Sequence, residues 1–529
     1  MNQHYQVVIA GGGPVGVGLA VELGIRGIRC IVIERRAGMH NIPKGQNLTQ
    51  RTLEHCYFWG CVDEVRKARI MPPSSPIGEL VAYRHLDTPY WHATEGRGVV
   101  GRFYFQANER LPQYALETVL RVRLASLPSV ETRFGWTVKA VEQDASGARV
   151  QIAKEGSTEA EVIEADYVVG CDGGHSIVRE MAGIEREGTA FEELMVLAVF
   201  RSRELHEKLS RFPERSTYRV MHPDLKGYWQ FFGRIDVGEG WFFHAPVPRD
   251  TTRENYDFHG MLERVAGFKF ACEFDHVGFW DLRVSVANRY RAGRIFIAGD
   301  AAHSHPPYGG YGVNNGLEDA RNLGWKLAYG LKGQGGEALL DSYDAERRPV
   351  FKDVGEDFIA NRIKEDHEFF DRYSPERDKA EFERAWAARR TEYSERTFAY
   401  EPNYEGSPIV FGPPGGKCSA HGSHSFEARI GHHLPPQPLS GGRNVYEMLG
   451  SDFALLAFGV DDAATEGFAS AAQALGVPLN IVRDSWADGR TQYGRRLILV
   501  RPDQFIAWTG DSAPGDAAEV LRKAAGRSR

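Results

Sequence analysis

Three glycine-rich turns, each following an apolar segment, could bring the backbone close to a phosphate or a sugar. The first has the pattern GxGxxG at Gly11, Gly13 and Gly16, the second is Asp172-Gly173, and the third begins at Gly299-Asp300. Glycine allows tight turns, and the start of a helix offers unpaired backbone N–H groups to an anion. The three turns therefore predict phosphate-binding or sugar-binding positions.

The segments around the first turn make it specific for a dinucleotide. The apolar run from Gln6 to Ala10 predicts a buried parallel strand, and the residues after Gly16 predict a helix. A second apolar strand ends in Glu34, at a distance that suits a carboxylate accepting hydrogen bonds from a ribose diol. This unit predicts dinucleotide binding but does not separate NAD from FAD.

Composition excludes several other classes of protein. The chain has 529 residues, with 64 Lys and Arg against 71 Asp and Glu, and a net charge of −7. This slightly acidic balance argues against nucleic acid or an anionic membrane as a partner. The six cysteines form no CxxC pair, so neither a zinc ribbon nor a dithiol centre is indicated. We expect a cytoplasmic protein without a metal, for which a homodimer is one possible state.

In their order and spacing, the three motifs resemble the single-component (class A) FAD-dependent aromatic hydroxylases, the group of para-hydroxybenzoate hydroxylase and phenol hydroxylase. Arg51 matches the family's FAD-contacting arginine, and Gln113 matches a glutamine near the cofactor. The resemblance implies FAD binding by Gly11, Gly13, Pro14, Gly16, Glu34, Arg35, Arg51, Gln113, Asp172, Gly173, Arg179, Gly299, Asp300, Pro307, Gly310, Gly312, Val313 and Asn314.

The same resemblance implies an activity. NADH or NADPH would reduce FAD, and O₂ would then give a C4a-hydroperoxyflavin that hydroxylates an aromatic ring ortho or para to a hydroxyl group. No second strand–GxGxxG–helix unit follows, so the nicotinamide would dock only transiently. Larger polycyclic or polyketide-like substrates, and a flavin-binding protein without turnover, are the alternatives.

The group that deprotonates the substrate is an open question. Phenol hydroxylases have an aspartate five residues before the arginine that matches Arg51, but this chain has Gln46, which cannot take a proton. The remaining candidate bases are His222, Tyr228, His244 and His305. The resemblance also places Pro306 against the flavin edge, where proline makes a stiff wall without an N–H donor.

The predicted fold class is α/β, with a Rossmann-like FAD-binding domain and an inserted antiparallel-sheet substrate domain, and the last hundred residues resemble the thioredoxin-like C-terminal domain of phenol hydroxylase-type enzymes. The FAD-binding domain takes residues 1–75, 100–185 and 285–345, and the substrate domain takes residues 76–99 and 186–284. Residues 346–404 are predicted as a helical cover, residues 405–425 as a Gly/Pro/Ser-rich linker, and residues 426–529 as the thioredoxin-like domain.

Overall fold

A mostly parallel sheet of eight strands forms the first layer of the computed structural model, which describes residues 3–527. Its strands are His4–Ala10, Cys30–Glu34, Val130–Phe134, Trp136–Gln143, Ala148–Lys154, Ala160–Gly170, Arg291–Ala292 and Ile295–Ile297. In the parallel part, Ala10 pairs with Gly170 and with Ile33, while Gly170 pairs with Ile297. This register brings the three glycine-rich turns to one edge of the sheet, because each turn follows the carboxyl end of a paired strand.

A second, mainly antiparallel sheet of eight strands packs beside the first. In spatial order its strands are His303–Ser304, Glu273–Ala287, Arg186–Arg201, Gly240–Val247, Trp229–Arg234, Thr217–Met221, Glu79–Tyr83 and Trp91–Thr94. One face of this sheet packs on an apolar core that includes Phe200, Phe232 and Phe243. Strands from residues 79–94 and from residues 186–304 thus share this one sheet.

The helices surround these two sheets. They are Pro14–Ile25, Gln50–Phe58, Val62–Lys67, Gln113–Ala125, Ile177–Met181, Arg203–Lys208, Phe258–Ala266, Gly312–Leu331, Glu337–Asp353, Asn361–Arg372, Lys379–Ala399, Tyr446–Leu449, Ala463–Leu475 and Ala517–Ala524. A π-helical turn, Val354–Ala360, joins two of them. Among the described residues, no helix is both long enough and apolar enough to cross a membrane.

Helices Pro14–Ile25 and Gly312–Leu331 pack together closely. A Cβ atom at Gly324 would lie 2.4 Å from the Cγ atom of Glu22, so only glycine fits at this contact. The carboxylate of Glu22 is fully buried and is held by Arg26, Arg321 and the Trp59 indole N–H. The close contact fixes the two helices relative to each other.

Residues 405–425, predicted as a linker, are built into the fold. The strand Cys418–His421 pairs with Tyr400–Tyr404, and Ile409 and Val410 are buried against the C-terminal domain. Glycine and proline in this segment serve turns such as Gly412, whose missing side chain leaves room for the carbonyl oxygen of Glu405. Composition alone does not distinguish such packed turns from a flexible connection.

The C-terminal domain has a four-stranded sheet in the order Leu479–Asp484, Phe453–Phe458, Leu497–Val500, Ile506–Gly510. The first pair is parallel and the other two pairs are antiparallel. The assignment of this domain as thioredoxin-like stays a prediction.

Buried charges join the C-terminal domain to the rest of the protein. Glu346 accepts hydrogen bonds from Arg501 at 2.7 and 2.9 Å and from Lys326 at 2.6 Å, and all three side chains are fully buried. Arg501 also pairs with Asp503 at 2.6 Å. These cations hold the pKa of Glu346 well below its usual range despite its burial.

We expect Glu346→Ala to lower the free energy of unfolding by about 3–5 kcal/mol, because it leaves two buried cations without their shared carboxylate. Urea unfolding at neutral pH measures the change. The matched control is Glu376→Ala, which breaks an exposed pair with Arg84 and should change stability by about 0–1 kcal/mol. Equal effects of the two substitutions would contradict the structural role of Glu346.

Candidate active site

A cavity of about 1020 Å³ lies between the turn-bearing edge of the first sheet and one face of the second sheet. Thirteen of the residues singled out from the sequence line it: Gly13, Pro14, Glu34, Gln46, Gln113, Gly173, His244, Asp300, His305, Pro307, Gly310, Gly312 and Val313. Residues that are 300 positions apart in the sequence therefore surround one space. A volume of this size belongs to the range of cofactor and ligand sites.

The first turn has the shape that a pyrophosphate requires. A Cβ atom at Gly11 would lie 2.3 Å from the carbonyl oxygen of Cys171, and one at Gly16 would lie 2.0 Å from that of Gly11. Gly13 caps the helix Pro14–Ile25 without any side-chain hydrogen bond, and the space beside its Cα is open. The first N–H groups of this helix are therefore available to an anion in the cavity.

Glu34 closes the other side of this turn. Its Oε2 atom accepts a hydrogen bond from the Gly12 N–H at 2.7 Å, and its Oε1 atom accepts one from the Arg36 N–H at 2.9 Å. Each carboxylate oxygen has a further lone pair, so the side chain can also accept hydrogen bonds from a ribose diol. Arg36, rather than the predicted Arg35, lines the cavity.

Side chains within the second turn stabilise it through hydrogen bonds. The Asp172 carboxylate accepts hydrogen bonds from the Ile177 N–H at 2.9 Å and the Val178 N–H at 3.3 Å, at the start of a short helix. Burial raises the pKa of Asp172. Arg179 donates to the carbonyl oxygens of Gly174 and Ala301, both at 3.1 Å, and so ties this turn to the third.

The third turn depends on the buried carboxylate of Asp319. This group accepts a hydrogen bond from the Gly299 N–H at 3.0 Å and contacts His303 Nε2 at 2.7 Å and Arg347 Nε at 2.7 Å. Gly299 has a φ angle of +60°, a conformation that favours glycine. Asp319 thereby holds the backbone that carries Asp300 into the cavity.

The helix Gly312–Leu331 begins at the cavity, and its N-cap residue forms no side-chain capping hydrogen bond. Asn314, in its first turn, uses its side chain within the protein. Its Oδ1 atom accepts hydrogen bonds from the Thr49 N–H at 2.9 Å and the Thr52 hydroxyl at 2.7 Å. The helix start is thus fixed against residues 49–52 while its own N–H groups face the cavity.

Several predicted residues do not line the cavity in the described part of the chain. They are Gly11, Gly16, Arg35, Arg51, Asp172, Arg179, His222, Tyr228, Gly299, Pro306 and Asn314. Arg51 pairs with Glu54 and Glu318 at 3.1 Å and donates to the carbonyl oxygen of Asp503. His222 is half-buried at the start of a 3₁₀ turn, where its Nδ1 atom accepts from the Asp224 N–H. Neither His222 nor Tyr228 lies where a base acting inside the cavity must lie.

The far wall of the cavity is aromatic. It includes Trp229, Phe231, Phe242 and Trp280, and His244 packs at 5.0 Å from the Phe231 ring and 5.1 Å from the Trp280 ring. The alternation along each strand separates this wall from the core behind it, because side chains two residues apart share a face. In the sequence, this two-residue spacing separates Phe231 and Phe242, which line the cavity, from Phe232 and Phe243, which lie in the core.

Two of the six histidines that line the cavity, His244 and His305, are weak bases. Burial lowers the pKa of His244 to about 3 and that of His305 to about 4. A hydrogen bond with the Val196 backbone opposes the shift at His244 only in part. Both imidazoles are therefore neutral at physiological pH, and neither suits the removal of a phenolic proton.

Sequence reasoning missed several arginines of the cavity wall, among them Arg110 and Arg219. Arg219 pairs with Glu79 at 3.1 Å and lies over the Trp229 ring at 4.1 Å. Arg110 is 2% exposed and belongs to the short strand Glu109–Arg110, which pairs with Asn47–Leu48. No motif contains either residue, and only the position of Arg219 in a predicted strand gave a signal.

The cavity offers groups that fit the two halves of FAD. They are the glycine-rich turns, the unpaired N–H groups at the helix starts and the acids at the strand ends. Residues 4–357 match the family description "FAD binding domain", and residues 427–528 match "Aromatic-ring hydroxylase, C-terminal". The chain belongs to the FAD-dependent aromatic hydroxylases. It is an enzyme, a flavin-dependent monooxygenase, as the resemblance of the sequence motifs implied.

Two relatives and one solved structure illustrate the range of this family. A 4-methyl-5-nitrocatechol 5-monooxygenase of Burkholderia sp. is 30% identical, covering 98% of this chain and 96% of its own. A putative polyketide hydroxylase of Streptomyces halstedii is also 30% identical, covering 97% and 95%. The rebeccamycin biosynthetic enzyme RebC with reduced flavin is 26% identical, with a TM-score of 0.84 over 99% of each chain.

We expect Asp300→Ala to weaken FAD binding about 10- to 100-fold, because a charged hydrogen-bond acceptor is lost from the cavity. Fluorescence titration of the apoprotein with FAD measures the affinity. Asp341→Ala is the control, since Asp341 forms an exposed pair with Arg291 away from the cavity. An unchanged FAD affinity in the Asp300 variant would refute this assignment.

The burial of His244 makes stability depend on pH. Its pKa is about 3 in the folded protein and about 6.5 in the unfolded chain, so the unfolded chain binds the extra proton below pH 6.5. The contribution is fully present above about pH 6.5 and is lost as the pH falls towards 3. His244→Gln should therefore reduce the slope of stability against pH in this window by about 1.4 kcal/mol per unit.

Urea unfolding at several pH values tests this prediction. His259→Gln, at a surface position, is the control and should follow the parent protein. Identical slopes for the parent and the His244 variant would show that His244 is not buried in its neutral form.

Proposed function

We propose that this hydroxylase uses NADH or NADPH and O₂ to place a hydroxyl group on an aromatic ring, ortho or para to a hydroxyl group that the ring already carries. The observation that supports this most directly is the single cavity in which the FAD cradle faces an aromatic wall. When bound, FAD supplies the activation of O₂. The protein must then bind the ring, orient it and exclude water.

The aromatic wall suits two of these tasks, binding the ring and excluding water. Trp229, Phe231, Phe242 and Trp280 offer ring faces and edges to a planar substrate. The same apolar surface keeps the reacting region dry. Leu197, which pairs with His244, continues this surface along the strand Arg186–Arg201.

FAD binding is proposed residue by residue. The N–H groups at Gly13 and at the start of the helix Gly312–Leu331 would hold the pyrophosphate and the polar edge of the flavin. Glu34 would accept from the ribose, and Asp300 would accept from the ribitol hydroxyls. Arg51, Asp172, Arg179 and Asn314 would act as supports behind this layer, as their contacts within the protein indicate.

A larger, polycyclic or polyketide-like ring system is the second candidate substrate. The aromatic wall supports it, because several aromatic side chains along the wall can contact a fused-ring substrate. The relative named as a putative polyketide hydroxylase supports it as well. Monocyclic phenols and fused-ring phenols are therefore both to be tested.

We expect the FAD-loaded protein to consume NADH or NADPH slowly alone and faster with its substrate. Parallel assays with monocyclic nitrophenols and catechols, and with naphthols and hydroxyanthraquinones, separate the two candidate substrates. Mass spectrometry with isotopically labelled O₂ must show one labelled oxygen atom in the product. If no member of either set accelerates nicotinamide oxidation or takes up label, the proposed hydroxylation of phenolic rings is wrong.

A substitution in the aromatic wall tests the location of the substrate. Phe242→Ala should raise KM about tenfold or more, because an aromatic contact contributes about 0.5–1.5 kcal/mol in addition to the apolar area it buries. Phe243→Ala is the matched control for the ring behind the wall and should reduce stability without a specific change in KM. The reverse outcome would place the substrate elsewhere.

A further inference from the structure

One row of paired residues on the second sheet forms the floor of the substrate half of the cavity. Arg219, Phe231, His244, Leu197 and Gly278 are paired in register on five neighbouring strands, and all of them line the cavity. With about 4.8 Å between strands, this row extends about 19 Å across the sheet. The cavity is therefore long in the direction that crosses the strands.

In one direction along the strands, the floor ends within two residues. There the strands carry Met195 and Met221, which are buried in the core. Met195 pairs with Trp280 and Met221 pairs with Trp229, and both tryptophans line the cavity. Two indole rings therefore bound the cavity on this side.

The ring of Trp229 is held in one orientation. Its indole N–H donates to Asp366 Oδ2 at 2.6 Å, and its backbone N–H donates to the Tyr308 hydroxyl at 3.0 Å. The Tyr308 ring lies 4.4 Å from the Trp229 ring, and the Arg219 guanidinium lies 4.1 Å from it. A buried indole N–H needs an acceptor, so turning the ring aside would cost the hydrogen bond to Asp366. The phenylalanine rings of the same wall have no polar atom that could be held in this way.

Asp366 belongs to the predicted helical cover and lies in the helix Asn361–Arg372. Its carboxylate is fully buried and pairs with Arg362 at 3.2 Å and with Arg389. Although burial opposes the charge, these arginines hold the pKa of Asp366 below its ordinary value. The acceptor of the Trp229 indole N–H is therefore an ionised group, and hydrogen bonds to ionised groups are the stronger ones.

We propose that Trp229, held in place by Asp366, restricts the width of the substrate, so that the enzyme selects linear over angular ring systems. This inference rests on the proposed function. A linear ring system fits along the floor of the cavity, whereas an angular isomer must press against the Trp229 ring. Such overpacking lowers affinity, because the side chains packed behind the ring must move.

Binding of isomeric phenols to the oxidised, FAD-loaded protein tests the proposal without turnover. One pair of probes is 2-hydroxyanthracene and 2-hydroxyphenanthrene, which have the same composition and differ in shape. The monocyclic pair is 4-ethylphenol and 3-ethylphenol. Changes in flavin absorbance measure the dissociation constants, and the linear isomer of at least one pair should bind about tenfold more tightly or better. Equal affinities within both pairs, or no binding of any probe, would overturn the proposal.

Variants of Trp229 locate the effect. Trp229→Ala should bring the ratio of the two affinities close to one, and Trp229→Phe, which keeps a ring but loses the indole N–H, should lower the ratio about threefold. Trp241→Ala is the matched control, because Trp241 is buried on the opposite face of the same sheet, and it should keep the parent ratio. If Trp229→Ala keeps the parent ratio as well, the proposal is wrong.

Variants of Asp366 test its positioning role. Asp366→Asn retains an oxygen for the indole N–H and should keep the parent ratio, whereas Asp366→Leu should lower it as Trp229→Phe does. In the Trp229→Phe background, Asp366→Leu should lower the ratio no further, because the hydrogen bond is already absent. A purely structural role would weaken both isomers equally and leave the ratio unchanged. If Asp366→Leu does not fold, Trp229→Phe still decides, since it breaks the same bond and leaves the arginines paired.

The outcomes separate this inference from the function on which it rests. Hydroxylation of phenolic rings with no preference between isomers refutes the inference alone. A preference for the linear isomer that disappears in Trp229→Ala, without hydroxylation of any ring, refutes the proposed hydroxylation and leaves the width limit in place.

Discussion

The buried carboxylate of Asp319 is the contact on which the arrangement of the active site depends. It lies in the helix Gly312–Leu331, where it accepts a hydrogen bond from the Gly299 N–H and pairs with His303 and Arg347. One side chain therefore fixes the third turn, the segment after it and the helix Glu337–Asp353. A carboxylate in this position is stable only because its partners satisfy it, so the surrounding structure has little freedom to move.

The same helix links the cofactor half of the cavity to the C-terminal domain. Glu318 pairs with Arg51, whose guanidinium also donates to the carbonyl oxygen of Asp503. Lys326, two turns later, shares Glu346 with Arg501. Buried charges of this kind specify one geometry, because any other arrangement leaves a charge unpaired. The C-terminal domain is thus positioned by the elements that carry the active site.

The two halves of the cavity differ in charge and in burial, and therefore in their roles. The cofactor half offers backbone N–H groups at helix starts together with the carboxylates of Glu34 and Asp300. The substrate half is aromatic, and its buried His244 and His305 are neutral.

The amino-acid sequence by itself determined the cofactor and the fold class. The spacing of Gly11, Gly13 and Gly16 between an apolar strand and a helix is a local pattern, and local patterns follow from short-range geometry. The turns at Asp172 and Gly299 are local in the same sense. A glycine-rich sequence does not show whether its turns are packed, however, and within residues 405–425, predicted to be a linker, the strand Cys418–His421 pairs with Tyr400–Tyr404.

Only the tertiary structure decided which of the candidate side chains share the cavity. His222 and Tyr228 stand in the predicted substrate region but lie away from the cavity, while Arg110, outside every motif, lies in its wall. The tertiary fold brings the Arg110 side chain to the carbonyl oxygens of Ser216 and Arg234, although its own strand pairs with Asn47–Leu48. The basicity of His244 likewise follows from burial by Phe231, Phe242 and Trp280, which no local pattern reveals.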